Sequence, residues 1–175
     1  MITKAENLSL NDKFCLFQIC KNFICVRFLD ESKEKFELEF NLEKGTSFNS
    51  FLIVTNEKLF IIFPPEINNL ELFKKFIIEN INDYQKKQIK IITGHINPKI
   101  IESIKGIITS LRHPEIICTN PGCKLITELW NQKKPKDNNF DDVKLPKFHL
   151  IKKESQINVN QLSLELIPAP TARWP

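Results

Sequence analysis

The sequence predicts a layered α+β or α/β domain, with helices packed on a mostly apolar sheet. Three observations carry this. Strand-like runs fill the first third, helix and strand alternate between Pro64 and Trp130, and strands return near the end. Residues 23–29 are rich in β-branched and aromatic side chains. Phe36, Leu38 and Phe40 alternate with Glu37, Glu39 and Asn41, the period of a half-buried strand. The charged stretch 30–35 marks a hairpin turn between the two. Gly45 breaks the chain. Residues 51–54 and 59–63 then form two strands around Asn56-Glu57, apolar on both faces, as in the centre of a covered sheet.

Pro64-Pro65 ends this meander, and Asn68 or Asn69 can cap a helix. Leu70, Phe73, Phe76, Ile77 and Ile81 recur at helical spacing, with Glu and Lys opposite. Residues 89–92 form a short buried strand that ends at Thr93-Gly94-His95. A second helix starts near Pro98, a residue suited to a first helical turn, with Ile101, Ile104, Ile108 and Leu111 on its apolar face. Residues 115–118 read as a strand, Asn120-Pro121-Gly122 as a turn and 124–130 as a short helix. The polar stretch 132–146, with Pro135 and Pro146, reads as a surface loop. Residues 148–151 and 162–167 are the last strands. No internal repeat is visible.

Composition narrows the class. The 175 residues suffice for one domain with a real core. Fourteen Phe against four Gly point to a dense interior. A net charge of +4, with acids and bases interleaved, does not make the basic stripe of a nucleic-acid binder. The run Lys133-Lys134-Pro135-Lys136 is followed by Asp137, Asp141 and Asp142 and reads as a solvated loop. The five cysteines include no C-x-x-C pair. Cys15, Cys20 and Cys25 lie among apolar residues, so reduced, buried thiols are expected rather than a zinc site. No signal-peptide pattern opens the chain, and no transmembrane segment is expected, since no run approaches the ~20 apolar residues of a span. A soluble, cytoplasmic protein is the expectation.

The informative place is Thr93-Gly94-His95-Ile96-Asn97-Pro98-Lys99. A buried strand ends there, and polar side chains follow before a helix. Such strand ends open into the crevice where α/β folds place ligands. His95 alone reads as a hydrogen-bonded structural residue, because metal sites need several converging ligands.

Three segments carry a family resemblance: GTSFNSFLI at 45–53, GHINPK at 94–99 and PAPTARWP at 168–175. Over about residues 10–175 the chain resembles the N-terminal part of the metallo-β-lactamase-like domain of flavodiiron proteins. The wording of HINPK and of Asn120-Pro121-Gly122 is similar to that of the cyanobacterial diflavin flavoproteins. The resemblance implies the N-terminal portion of an αββα sandwich. The family's H-x-E-x-D-H motif binds two irons. His95 matches its first His, while Asn97 stands where Glu is expected, Lys99 where Asp is expected and Ile100 where the last His is expected. Arg173 replaces a later ligand His in a segment ending H-W-P-D. His95, Asn97, Lys99, Ile100 and Arg173 are therefore the degenerate metal-pocket positions, and His95 alone keeps a ligand type. Ammonium and guanidinium groups offer no lone pair. Lys99 and Arg173 are expected to put positive charge where the metals would sit, holding an anion or pairing with an acid from elsewhere. The plainer alternative stays open: both cations point to solvent, Trp174 only packs, and Pro168 and Pro170 only stiffen a strand exit.

The resemblance also sets the functional expectations. Residues 1–175 are expected to be a partial metallo-β-lactamase-like domain, without the family's flavodoxin-like and flavin reductase-like domains. The chain is then a fragment or a truncated gene product. Part of the sandwich face or edge is expected to be exposed. The family reduces oxygen to water with NAD(P)H, passing electrons through FMN to iron. This chain is expected to be part of such an oxidoreductase and inactive alone. The family's di-iron and FMN cofactors are not assigned to it, and it has no dinucleotide-binding glycine pattern. The alternative is a non-catalytic, pseudoenzyme subunit pairing with a ligand-complete flavodiiron relative. Expected partners are a flavodoxin-like FMN domain or such a relative, in a homo- or hetero-oligomer. A metallo-hydrolase of the same superfamily is a further alternative, opposed by the lost ligands, since hydrolysis needs a metal-activated water.

Overall fold

The computed structural model describes residues 9–11, 14–36, 40–41, 43, 45–94, 96–111, 114–132, 143–159 and 162–168. Two antiparallel neighbours, β1 (Ser9–Asn11) and β2 (Phe14–Cys20), start the central sheet, and β3 (Phe23–Asp30) follows. The turn between β2 and β3 places Asn22 at φ 70°, a left-handed conformation that Asn tolerates better than most residues. The chain then leaves the sheet. Residues of β4 (Lys35–Phe36) and β5 (Phe40–Asn41) pair only with each other. It returns as β6 (Thr46–Val54), which pairs with β3 along its length. Gly45 makes the return possible. Its φ is +71°, and a Cβ there would lie 2.2 Å from the Asp30 carbonyl oxygen.

A tight turn joins β6 to β7 (Lys58–Ile62). The Thr55 hydroxyl accepts from the Glu57 and Lys58 amides, and the buried Lys87 ammonium donates to the Thr55 and Asn56 carbonyls. From β7 onward the sheet is parallel: β8 (Gln88–Ile92), β9 (Glu115–Thr119) and β10 (Lys147–Ile151) follow in order. Parallel neighbours need crossovers. These are supplied by α1 (Leu70–Asn80), α2 (Pro98–Ser110) and α3 (Asn120–Asn131). The full order is β1-β2-β3-β6-β7-β8-β9-β10. A separate antiparallel pair, β11 (Ser155–Val159) and β12 (Leu162–Leu166), completes the described strands.

Strand alternation divides the apolar residues between two faces. On one face Phe28, Leu52, Leu59, Ile61 and Ile91 form the main core with Phe73, Ile77, Ile104 and Ile107 of the helices. On the other, Ile53, Phe60, Ile117 and Ile151 pack with Val159, while Ile157, Leu162, Leu164 and Leu166 pack around them. Residues 51–54 and 59–62 are thus apolar on both faces because both faces are covered. The layers are helices, mixed sheet and the β11–β12 pair. The loop end at Val143 is fixed to α3 by the Trp130 indole, which donates to the Val143 carbonyl at 2.9 Å.

Several expectations are corrected. Phe36 and Phe40 do not extend a hairpin from β3; they face each other in the short β4–β5 pair, apart from the central sheet. Asn120-Pro121-Gly122 is not a turn before a helix but the first turn of α3 itself. The Thr119 hydroxyl caps it by accepting from the Gly122 amide. Pro lacks a donor that a first helical turn leaves unused anyway. Asn69 occupies the position before α1 yet makes no side-chain cap bond, because a 3-10 turn at Ile67–Asn69 leads into the helix. Ile108 packs against the main core as expected, and Ile107 beside it is fully buried as well. The cysteines are all free thiols, but only Cys25 and Cys118 are buried. Cys15 and Cys123 are half-buried and Cys20 is exposed at a strand end. No described helix is long and apolar enough to cross a membrane.

Candidate functional site

Because β7, β8, β9 and β10 run parallel, their carboxyl ends share one edge of the sheet. Thr93 and Gly94, the start of α2 with its N-cap Asn97, and the start of α3 all lie there. Two of the three sequence segments meet at this edge. The Ser50 hydroxyl, fully buried in β6, donates to the Phe63 carbonyl at 2.6 Å. The Phe63 amide donates to the Ile92 carbonyl at 2.9 Å. Phe63 itself has φ 54°, a left-handed conformation that bulky residues rarely adopt and that costs roughly 1–3 kcal/mol. Its ring lies over Gly94, where a Cβ would come within 2.9 Å of it. Segment 45–53 is therefore tied to segment 94–99 through a strained aromatic residue. A second tie from the same segment runs across the sheet: the Arg27 guanidinium donates to the Asn49 side-chain oxygen at 2.9 Å and stacks on Phe17 at 4.9 Å.

The expected pocket positions are placed as follows. Asn97 is the N-cap of α2, and its side-chain oxygen accepts from the Ile100 amide at 2.9 Å. Lys99 is exposed in the first turn of α2. Ile100 packs against the main core on the helical face. The structure thus brings 97, 99 and 100 together on one helical turn but gives them different tasks: capping, solvation and packing. His95, Arg173 and Trp174 lie outside the described residues, as does Pro170. Pro168 follows β12 and is half-buried.

The electrostatics of the edge are those of two helix N-termini, each with its amides pointing outward and neither with an acidic residue in its first turn. Helix N-termini carry partial positive charge, and Lys99 adds a full one. The described positions 97, 99 and 100 offer few donor atoms. The Asn97 oxygen is engaged by a backbone amide, Lys99 has no lone pair to give when protonated, and Ile100 has no donor atom. Among the described residues no group of three or more His, Cys, Asp or Glu side chains converges.

Ser50 and Phe63 were not singled out from the sequence. Phe63 stands before Pro64-Pro65, and nothing in its spacing signals a left-handed backbone. The one available signal is Gly94, a residue without a side chain at a strand end, which leaves room for a ring.

No protein-family model matches the chain. Among curated proteins it is 25% identical over 164 residues to diflavin flavoprotein A 5 of a Nostoc species, covering 90% of this chain and 25% of that protein. Among solved structures it superposes on the metal-soaked Flv1 flavodiiron core from a Synechocystis species with a TM-score of 0.75, at 23% identity, covering 93% of this chain and 38% of that one. The rubredoxin oxygen:oxidoreductase of Desulfovibrio gigas superposes with a TM-score of 0.66 at 15% identity, over 85% of this chain and 33% of that one. The chain spans about a quarter of the length of the curated relatives it matches. The chain therefore has the fold of the N-terminal portion of a flavodiiron core, metallo-β-lactamase-like in architecture, and its sequence relatives are diflavin flavoproteins.

Proposed function

We propose that this chain is a component of a flavodiiron-type oxidoreductase that does not itself hold a di-iron centre. The likeness to diflavin flavoproteins supports the oxidoreductase part. One observation supports the rest: Asn97, at a ligand position of the family motif, spends its side-chain oxygen capping α2. In this reading Lys99 and Arg173 place cations at former ligand positions, and His95 is the one remaining ligand type. The activity of the whole assembly is the NAD(P)H-dependent reduction of oxygen, with FMN carrying electrons and supplied by a flavodoxin-like domain or a flavodiiron relative in a shared oligomer. The protein works in the cytoplasm. The chain on its own is inactive.

Iron analysis of the purified chain tests this directly. The expected content is far below one iron per chain; two tightly held irons per chain would end the proposal. Oxygen uptake with NAD(P)H is expected to be nil for the chain alone and to appear only with a flavin-bearing, ligand-complete partner. A non-catalytic subunit is the second reading, favoured by the same capping role of Asn97. The two separate on one result: in the assembly, Lys99→Asp changes the oxygen-reduction rate if the chain contributes to the reacting site, and leaves it unchanged if the chain only binds.

A further inference from the structure

The first turn of α3 carries a pair of thiols in an unusual place. The Thr119 hydroxyl accepts from the Gly122 amide at 3.3 Å, which makes Thr119 the N-cap. Cys118 is then the residue just before the cap, and Cys123 the fourth residue of the helix. Side chains at these two positions meet across the first helical turn, where they ordinarily form an aliphatic staple. Here both are cysteines. Cys118 is 3% exposed within the main core, and Cys123 packs against the same core from a half-buried position. Gly122 keeps the turn close: a Cβ there would lie 3.5 Å from the Cys118 Cβ. No other described pair is so placed. Cys15 and Cys25 sit on neighbouring strands but opposite Arg27 and Phe17, as diagonal rather than direct partners, and Cys20 lies opposite Phe23.

We propose that Cys118 and Cys123 are an oxidation site that closes to an intramolecular disulfide under a two-electron oxidant of the peroxide class. Cys123 is the attacking thiol, since it is the more accessible. Burial, and then the nearby Cys123, push the Cys118 thiol up to about 12, so Cys118 reacts second. The Cys123 thiolate attacks one peroxide oxygen. The O–O bond breaks, and the leaving hydroxide takes a proton to become water, giving a sulfenic acid at Cys123. The Cys118 sulfur then attacks the sulfenic sulfur. The S–S bond forms, the S–O bond breaks, and a second water leaves with the Cys118 proton. Two thiols have lost two electrons and two protons, and hydrogen peroxide has become two waters.

The closed pair fixes the start of α3 to the end of β9. That start touches the candidate site, because a Cβ on Gly122 would lie 3.2 Å from the Ile96 Cδ1. Oxidation therefore acts on Ile96 through Gly122, without any ligand there.

Trypsin supplies the test, since cleavage after Arg112 and Lys124 releases one peptide holding Cys118 and Cys123 and no other cysteine. The full chain is treated with hydrogen peroxide, its remaining thiols are alkylated, and it is digested without reductant. The expected peptide is unalkylated and two hydrogens lighter than its reduced form. Recovery of that peptide doubly alkylated, or with Cys123 as a sulfinic acid beside an alkylated Cys118, overturns the proposal. Amide hydrogen exchange in the first turn of α3 is expected to slow several-fold on oxidation of the wild-type chain, and not in Cys123→Ser. Equal slowing in both, or in neither, also overturns it.

Discussion

The two faces of the central sheet are built from the same strands but closed in different ways. On the helical face Phe28, Leu52, Leu59, Ile61 and Ile91 are fully buried under α1 and α2. On the opposite face Ile53, Phe60 and Ile117 lie under the β11–β12 pair, but toward β2 the cover is thinner. Phe17 is 38% exposed and Ile19 51%. Arg27 and Asn49 interrupt that face with a polar pair. Burial stabilises in proportion to the apolar area removed from water. Most of the stabilisation thus lies on the helical side, and only the β2 end of the opposite side works more as a surface than as a core.

Truncation on the helical side should have the largest effect. Phe73 is fully buried and packs edge-on to Phe28 at 6.3 Å. Phe73→Ala is expected to destabilise the chain by about 3–5 kcal/mol in urea unfolding. A loss under 1 kcal/mol would put the weight of the fold elsewhere. Next comes the cap at the candidate site. Asn97→Ala should cost about 1 kcal/mol, and Asn97→Asp should be near neutral, because Asp accepts from the same amide. Equal losses in both variants would mean that Asn97 does something other than cap α2.

Alkaline titration sharpens the contrast between the faces. Cys118 on the helical face is raised to about 12 from the ordinary 9.0, by burial first, and Cys25 on the opposite face is raised by burial, offset by Arg27. Folding holds the proton on each thiol more tightly than the unfolded chain does. Their stabilising contribution is complete below pH 9 and is lost as pH rises through the folded values. The unfolding midpoint should therefore fall above pH 9, and Cys118→Ala should flatten that fall more than Cys25→Ala does. The smallest effect is expected at the thinly covered end. Phe17→Ser should change stability by less than about 1 kcal/mol, since the ring is partly exposed and loses only the Arg27 contact. Its readout is solubility. A loss as large as that for Phe73→Ala would show that this end is covered in solution.

How far the sequence could be read followed the length scale of each signal. The periods of α1 and α2 were visible because each helix presents one stripe to the sheet, and Pro98 marked where α2 begins. Residues 36–41 misled because alternation says only that a segment is extended, not what it pairs with. Asn120-Pro121-Gly122 misled because Pro and Gly signal turns unless a capping Thr precedes them, as Thr119 does here. The β11 strand escaped notice behind the polar Ser155, Gln156 and Asn158. At the site, the motif positions 97, 99 and 100 were legible as a set. The capping role of Asn97 required knowing that its oxygen faces the Ile100 amide. The link from Ser50 through Phe63 to Gly94 was not legible at all, since it exists only once β6, β7 and β8 are neighbours.

The strand β7 has a consequence for how the chain assembles. It is bonded antiparallel to β6 on one side and parallel to β8 on the other. The β2–β3 and β6–β7 pairs before and at it are tight hairpins, which form in about 1–10 μs, and β6 returns to β3 after the β4–β5 excursion. Each parallel strand after it, β8, β9 and β10, requires a helix to cross and dock before it can be held, and long-range pairing of that kind is slow. We expect folding to be directional, with β7 as the template on which the parallel half is added one crossover at a time. Pulse-labelled hydrogen exchange should find the amides shared by β6 and β7 protected before those shared by β9 and β10, and simultaneous protection would show instead a single concerted step.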